Sequence, residues 1–174
     1  MLKWITDYIE QVEKYPLKFN RNIKNQCRLI KELISRKNIA YKEADPIAFE
    51  KFCHLFTHQK GEWAGQPFIP DATQRFDIAC VLGIKYYDKE KKRWLRYFRH
   101  NHIFVARKWG KSFLASAFVL WMLGLDKENG AEVRVVAENK EQSARLFKTV
   151  DESRKTSEHL KKFFKKRYNN IAYY

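Results

Sequence analysis

Cysteine is scarce in this chain. Its three cysteines, Cys27, Cys53 and Cys80, stand far apart with no C-x-x-C pair, which excludes a disulfide framework or zinc ribbon and fits a reducing compartment. Glycine and proline are also few, at 6 and 4, while hydrophobic residues make up 45% and aromatics 16%. A collagen-like, linker-like or disordered chain is therefore excluded, and a real core can form. Long apolar runs are missing. The longest, Phe113 to Leu125, has 13 residues interrupted by Ser116 and Gly124, short of the roughly 20 that a helix needs to cross a bilayer. Lys3, Asp7 and Glu10 occupy the amino terminus, where a signal peptide would carry its apolar core. The expectation is a soluble cytoplasmic protein with no membrane partner. Acidic charge is in deficit as well: 20 Asp+Glu stand against 35 Lys+Arg, a formal +15, so polyanions are the natural partners.

At 174 residues one domain with a small helical appendage is the default. Residues 1–60 read as a helical region. Leu2, Ile5, Ile9 and Val12 recur at helical spacing up to Pro16, and Phe19, Ile23, Cys27, Ile30 and Ile34 form a second stripe. Asp45-Pro46 reads as N-cap and first-turn residue of a third helix, with Phe49, Phe52, Cys53 and Phe56 as its buried face. Gly61 to Asp71 is dense in Gly and Pro and predicts an ordered loop pinned by Trp63 and Phe68. A helix over 72–82 follows, and then a highly charged stretch over 85–99 that reads as a hairpin or a surface excursion.

His102–Ala106 predicts a short strand, Phe113–Leu123 a buried helix, Val133–Ala137 a second strand, and Asn139 with Gln142 the capped start of another helix. That order, strand-helix-strand-helix, predicts an α/β fold with a parallel sheet and right-handed crossovers. Arg154–Arg167 reads as a terminal basic helix.

Gly110-Lys111-Ser112 falls where the first of these strands hands over to the buried helix. There, free N–H groups and the helix dipole favour an anion. In such a loop Lys111 reaches the β- and γ-phosphates of a nucleotide, Ser112 ligates Mg²⁺ through its hydroxyl, and Gly110 lets the backbone approach closely. Val105 stands where the usual pattern G-x-x-x-x-G-K-[ST] begins with glycine. Arg107 and Lys108 add two cations, and three like charges within five residues are costly unless a polyanion sits among them. Trp109 reads as a packing anchor.

The string VARKWGKS over 105–112 resembles the deviant Walker A loop of the large terminase subunit of tailed bacteriophages, in which A/P-R-K-x-G-K-[ST] replaces the first glycine. GEWAGQPFIPDATQ at 61–74 is similar to that family's G-x-x-A-G-x-P-F segment and its glutamine. AEVRVVAENKEQSARLF at 131–147 is similar to the strand and helix after the loop, and the amino-terminal helices resemble the family's leader. The resemblance implies an incomplete P-loop NTPase-type parallel sheet over 61–174, preceded by the helical region 1–60. It implies ATP and Mg as cofactors, with adenine contacted by Gln74 and the phosphates by Arg107, Lys108, Trp109, Gly110, Lys111 and Ser112. Mg falls to Ser112, and the γ-phosphate is sensed or stabilised by Arg107. Thr73 and Trp109 depart from the family's usual tryptophan and asparagine.

The family's Walker B strand, with its catalytic Glu, and its nuclease domain would lie beyond Tyr174. The chain thus looks like the first part of a packaging ATPase, a natural truncation, split gene or fragment, poorly active alone. Implied partners are double-stranded DNA, the small terminase subunit, the portal and possible further copies of the chain, in the host cytoplasm. Leu125-Asp126 and Ala137-Glu138 are refused as Walker B candidates. The basic blocks 14–37, 85–99 and 154–167 hold 22 of the 35 cations with aromatics interleaved, as phosphate-backbone binding would use. The alternative reading is a basic helical nucleic-acid-binding module without nucleotide chemistry. His54 and His58 lack a convincing third metal ligand, and Cys27 and Cys53 read as packing residues.

Overall fold

The computed structural model describes residues 3–58, 61–126, 130–167 and 170–173, and its residues form two compact units. The first unit combines Met1–Glu50 with Pro70–Ile103. Helix α1 (Lys3–Lys14) buries Ile5, Tyr8, Ile9 and Val12 on one face, as the 3.6-residue period requires. Leu2, the first residue of that stripe in the sequence, lies outside the described residues. Asn20 caps α2 (Arg21–Ile34) by accepting the Ile23 N–H at 2.9 Å, and α2 buries Cys27, Ile30 and Leu33. Helix α3 (Ala44–Cys53) starts one residue before Asp45, so Asp45 and Pro46 lie inside its first turn.

Asp71 and Gln74 form a reciprocal capping box at the head of α4 (Ala72–Ile78), which runs into a π turn over Ala79–Gly83. Tyr8 of α1 stacks on Phe76 of α4 with centroids 4.6 Å apart. Together with Ile5, Ile9, Cys27, Ile30, Cys80 and Ile84 they make one apolar cluster.

A small sheet closes this unit. Strand β2 (Ile84–Asp88) pairs antiparallel with β1 (Ile39–Tyr41) on one side, Ala40 opposite Lys85, and with β3 (Arg93–Arg96) on the other, Tyr87 opposite Trp94. The Asp88 carboxylate accepts the N–H groups of Glu90 and Lys91 and so shapes the β2–β3 turn. At the foot of β2 only glycine fits position 83, since a Cβ there would collide with the ring of Tyr41.

Asp77 lines a cavity of about 380 Å³ together with Gln26, Cys80, His100 and His102. Burial, opposed by a hydrogen bond from Gln26 and reinforced by the charge of Asp71, pushes the Asp77 carboxyl up to about 6. An unfolded aspartate titrates near ~3.9, so the folded chain holds this proton more tightly. The penalty of ionising Asp77 is absent well below pH 4, grows as pH rises between the unfolded and folded values, and is complete above pH 6. Asp77→Asn, which keeps the shape, is expected to stabilise the protein at pH 7 by about 1–3 kcal/mol. It should leave stability at pH 3 nearly unchanged, as urea unfolding at the two pH values would read.

The second unit combines Lys51–Ile69 with Phe104–Tyr174. Its centre is α5 (Lys111–Gly124), apolar on nearly every face, with Leu114, Ala117, Leu120 and Trp121 buried. Phe52 meets Trp121 edge-on at 5.6 Å. Asn139 caps α6 (Lys140–Thr156) through the Gln142 N–H at 2.9 Å, and α6 packs Val150 into the core. The anticipated single basic helix over 154–167 is interrupted. Ser157 takes an extended conformation and caps α7 (Glu158–Phe163) through the Leu160 N–H, the usual way serine competes with a continuing helix. The chain then forms an antiparallel hairpin from β4 (Phe164–Arg167) and β5 (Asn170–Tyr173).

The parallel P-loop-type sheet expected from the sequence is not present among the described residues, where every strand pairing is antiparallel. Residues 102–106 and 133–137 form no ladder. The reason is physical: a parallel strand requires a hydrogen-bonded neighbour and cover on both faces, yet Phe104 is 93% and Val136 87% exposed. In the loop over 61–71, Phe68 is buried as anticipated, but Trp63 is 57% exposed and does not pin it. No described helix is long and apolar enough to cross a membrane.

Candidate phosphate-binding loop

The loop before α5 is built by two left-handed residues. Lys108 has φ +71° and Gly110 φ +90°. Glycine adopts this region freely, whereas lysine pays about 1 kcal/mol or more to remain there. Between them the Trp109 N–H reaches back to the Ala106 carbonyl at 3.4 Å. Gly110 is the N-cap of α5, and its carbonyl accepts the N–H groups of Phe113 and Leu114, each at 3.0 Å. The N–H groups of Lys111 and Ser112 have no hydrogen-bond partner among the described residues. They are the orphan donors that every helix start leaves open.

Charge follows the same logic. The first turn of α5 contains no acid. Arg107, Lys108, Lys111 and Ser112 are all exposed, and none of the three cations has an ion-pair partner among the described residues. Trp109 is half-buried. Three cations, open N–H groups and the positive end of a 14-residue helix suit an anionic ligand. The donor set fits a phosphate chain. For a metal it offers only the Ser112 hydroxyl, so Mg²⁺ would be held largely by the phosphates themselves. No cluster of three or more His, Cys, Asp or Glu exists among the described residues.

What holds the loop in place comes from residue 113 and from the segment before it. Phe113 stacks on His58 with ring centroids 5.0 Å apart and planes 10° apart, and meets Phe56 and Phe68 edge-on at 6.1 and 5.2 Å. Residues 56–68 close on themselves through the Phe68 N–H to the Phe56 carbonyl at 2.7 Å and the His58 N–H to the Gln66 carbonyl at 2.9 Å. Much of the Gly-Pro segment and the phosphate loop thus share one apolar anchor. His58, considered in the sequence only as a metal ligand, is a packing residue, and burial lowers its pKa. The aromatic at 113, directly after the motif, was the signal for this anchor.

Gln74 belongs to the first unit and the 107–112 loop to the second. The Gln74 side chain is 4% exposed, and its Oε1 accepts the Asp71 N–H at 3.0 Å. Its visible role is to start α4. The basic blocks are partly spent on internal contacts. Lys31 pairs with Glu13, Lys85 with Asp45, Lys161 with Glu158, and Arg154, Lys155 and Lys166 all converge on Asp151. Cys27, Cys53 and Cys80 are buried thiols. Burial raises the Cys27 pKa to about 11 and holds that of Cys80 well above the ordinary thiol value, so neither is poised as a nucleophile.

The family model described as terminase large subunit, ATPase domain, matches residues 79–171, more than half of the chain and the whole of the phosphate loop. No curated protein and no solved structure matches the chain.

Proposed function

From the premise that the chain belongs to the terminase large subunit ATPase domain family, we propose that it is the ATP-binding part of a motor that couples ATP hydrolysis to movement of double-stranded DNA into a phage capsid. The observation that carries this reading is the head of α5, with two open N–H groups, a left-handed glycine and three cations without an ion-pair partner among the described residues, inside the segment that the ATPase-domain family model matches. In it the Lys111 and Ser112 N–H groups bind the β-phosphate. The Lys111 ammonium reaches the β- and γ-phosphates, and the Ser112 hydroxyl completes the shell of the accompanying Mg²⁺. Arg107 stabilises the charge of the γ-phosphate, and Lys108 and Trp109 frame the loop. The Mg-nucleotide supplies the phosphoanhydride to be cleaved. The chain's own residues bind and orient it, and none of them is assigned as the water-activating carboxylate.

Within this reading 61–174 is the ATPase portion and 1–60 its helical leader, and double-stranded DNA, the small subunit and the portal are the partners. The rival reading, a basic nucleic-acid module without nucleotide chemistry, keeps the surface charge and drops the loop's role. Titration of the full chain with Mg-ATP by calorimetry separates the two. Saturable 1:1 binding that is competed by inorganic triphosphate supports the phosphate loop, and absence of binding in the millimolar range removes it.

A further inference from the structure

The cavity beside Asp77 lies wholly within the first unit, and nucleotide binding does not use it. Its volume of about 380 Å³ is that of a small-molecule site, for which roughly 300–1,000 Å³ is usual. Its wall has two kinds of surface. Ile30, Val81 and Phe98 supply apolar area, and the polar part is made of amides, imidazoles and one carboxyl, among them Gln26, Asn101, His100 and Asp77. In a chain with 35 Lys+Arg, none of the described residues that line the cavity is a lysine or an arginine. Such a wall selects against phosphate and other anions, which are held by cationic donors.

Asp77 decides what the wall selects for. Asp77 is half-buried and its carboxyl accepts a hydrogen bond from Gln26, but no cation pairs with it among the described residues. The buried carboxylate of Asp151, by contrast, gathers three cations of the chain itself. Although burial lifts the Asp77 carboxyl to about 6, it is ionised at pH 7.5, and the cavity then carries a negative charge against an apolar wall. A cation placed beside it offsets the cost of that burial.

We propose that this cavity binds a small planar cation, an amidinium or guanidinium group on an apolar body, with Asp77 as its counter-ion. The planar group is favoured over an ammonium for two reasons. Its fork of N–H donors matches a carboxylate two at a time, and it is more weakly hydrated, so it loses less on leaving water for a partly apolar wall. Amide oxygens and neutral imidazole nitrogens can accept its remaining N–H groups, and the aromatic face of Phe98 suits a flat cation or ring. The inference does not rest on ATP binding, because none of these residues belongs to the 107–112 loop.

Benzamidine is the probe, titrated by calorimetry into the full chain at pH 7.5. Saturable 1:1 binding with a Kd below about 1 mM is expected. Benzamide has the same shape without the charge, and benzylamine has the charge without the planar fork, so each should bind about tenfold or more weakly. Asp77→Asn should likewise lose about tenfold or more in affinity, although it is expected to be the more stable protein at pH 7, so the loss would not reflect misfolding. Val81→Trp fills the cavity, leaves the carboxyl in place and should abolish binding, with far-UV circular dichroism checking its fold. Agmatine and N-acetylarginine amide carry the guanidinium on a free amine and on a polypeptide-like side chain, and the tighter of the two names the source. No benzamidine binding up to about 10 mM, equal binding by Asp77→Asn or by folded Val81→Trp, equal binding of benzamide or benzylamine, or failure of both guanidinium compounds would each overturn the proposal.

Discussion

Lys111→Ala is expected to weaken Mg-ATP binding between tenfold and a hundredfold while leaving the unfolding curve of the protein in place. The magnitude comes from one charge-assisted contact to phosphate, about 1.5–3 kcal/mol. The unchanged stability comes from geometry, since Lys111 is exposed, makes no ion pair among the described residues and occupies the first position of α5. Removing it also relieves repulsion with Arg107 and Lys108. Lys111→Arg retains the charge but not the compact ammonium that fits between two phosphates, so an intermediate loss is expected. Ser112→Ala should act differently. Its effect should be confined to the Mg²⁺-dependent part of the affinity and vanish when ATP is titrated with EDTA present. If calorimetry finds Lys111→Ala and the wild type equal, the loop does not hold phosphate.

The sequence made the local parts of this site legible because they are decided by local physics. A glycine before a lysine and serine, followed by an apolar run, dictates a helix that starts there. Asn139 and Gln142 similarly dictate the start of α6, and Asp71 that of α4. Helical stripes such as Ile5, Ile9 and Val12 could be assigned to the core because their period admits one buried face.

Pairing was not legible. Val133–Ala137 has the alternation of a strand, but alternation says nothing of who lies alongside, and the parallel sheet built on it is replaced by antiparallel ladders elsewhere. The three-residue strand β1 carries too little pattern to detect. The break at Ser157 was hidden because cations on both sides continue the same polar face. Gln74 shows a further limit. Three residues after an aspartate, it satisfies a helix cap whether or not it also meets a base, and the hydrogen bond to Asp71 is equally compatible with both.

Asp151 is where the largest loss of stability is expected. It lies on α6 with its side chain 6% exposed, and its two oxygens gather three cations. Arg154 contacts Oδ1 at 2.9 Å, and Lys155 and Lys166 contact Oδ2 at 3.0 and 3.3 Å. Arg154 also donates to the Phe164 carbonyl at 3.3 Å, so the carboxylate ties the end of α6 to β4. Asp151→Asn keeps the volume and removes the charge, leaving the 12% exposed Arg154 guanidinium without its counter-ion. A cost of about 3–5 kcal/mol follows. Removing Lys155, which is 58% exposed, should cost no more than about 1 kcal/mol.

The pH dependence carries a definite sign. Burial raises the Asp151 pKa, but hydrogen bonds from Lys155, Arg154 and Lys166 outweigh it and hold the carboxyl below its ordinary value. The stabilisation is therefore complete above the unfolded value near ~3.9 and fades as pH falls through the lower folded one. The wild type should lose stability on acidification below about pH 4, while Asp151→Asn, having lost that contribution already, should show a shallower slope there. Because α6 packs on α5 and α5 presents the phosphate loop, the variant should unfold at lower temperature yet bind Mg-ATP normally while folded. That outcome is the mirror image of Lys111→Ala, and a variant that lost affinity and stability together would mean that the loop and the Asp151 network are energetically coupled.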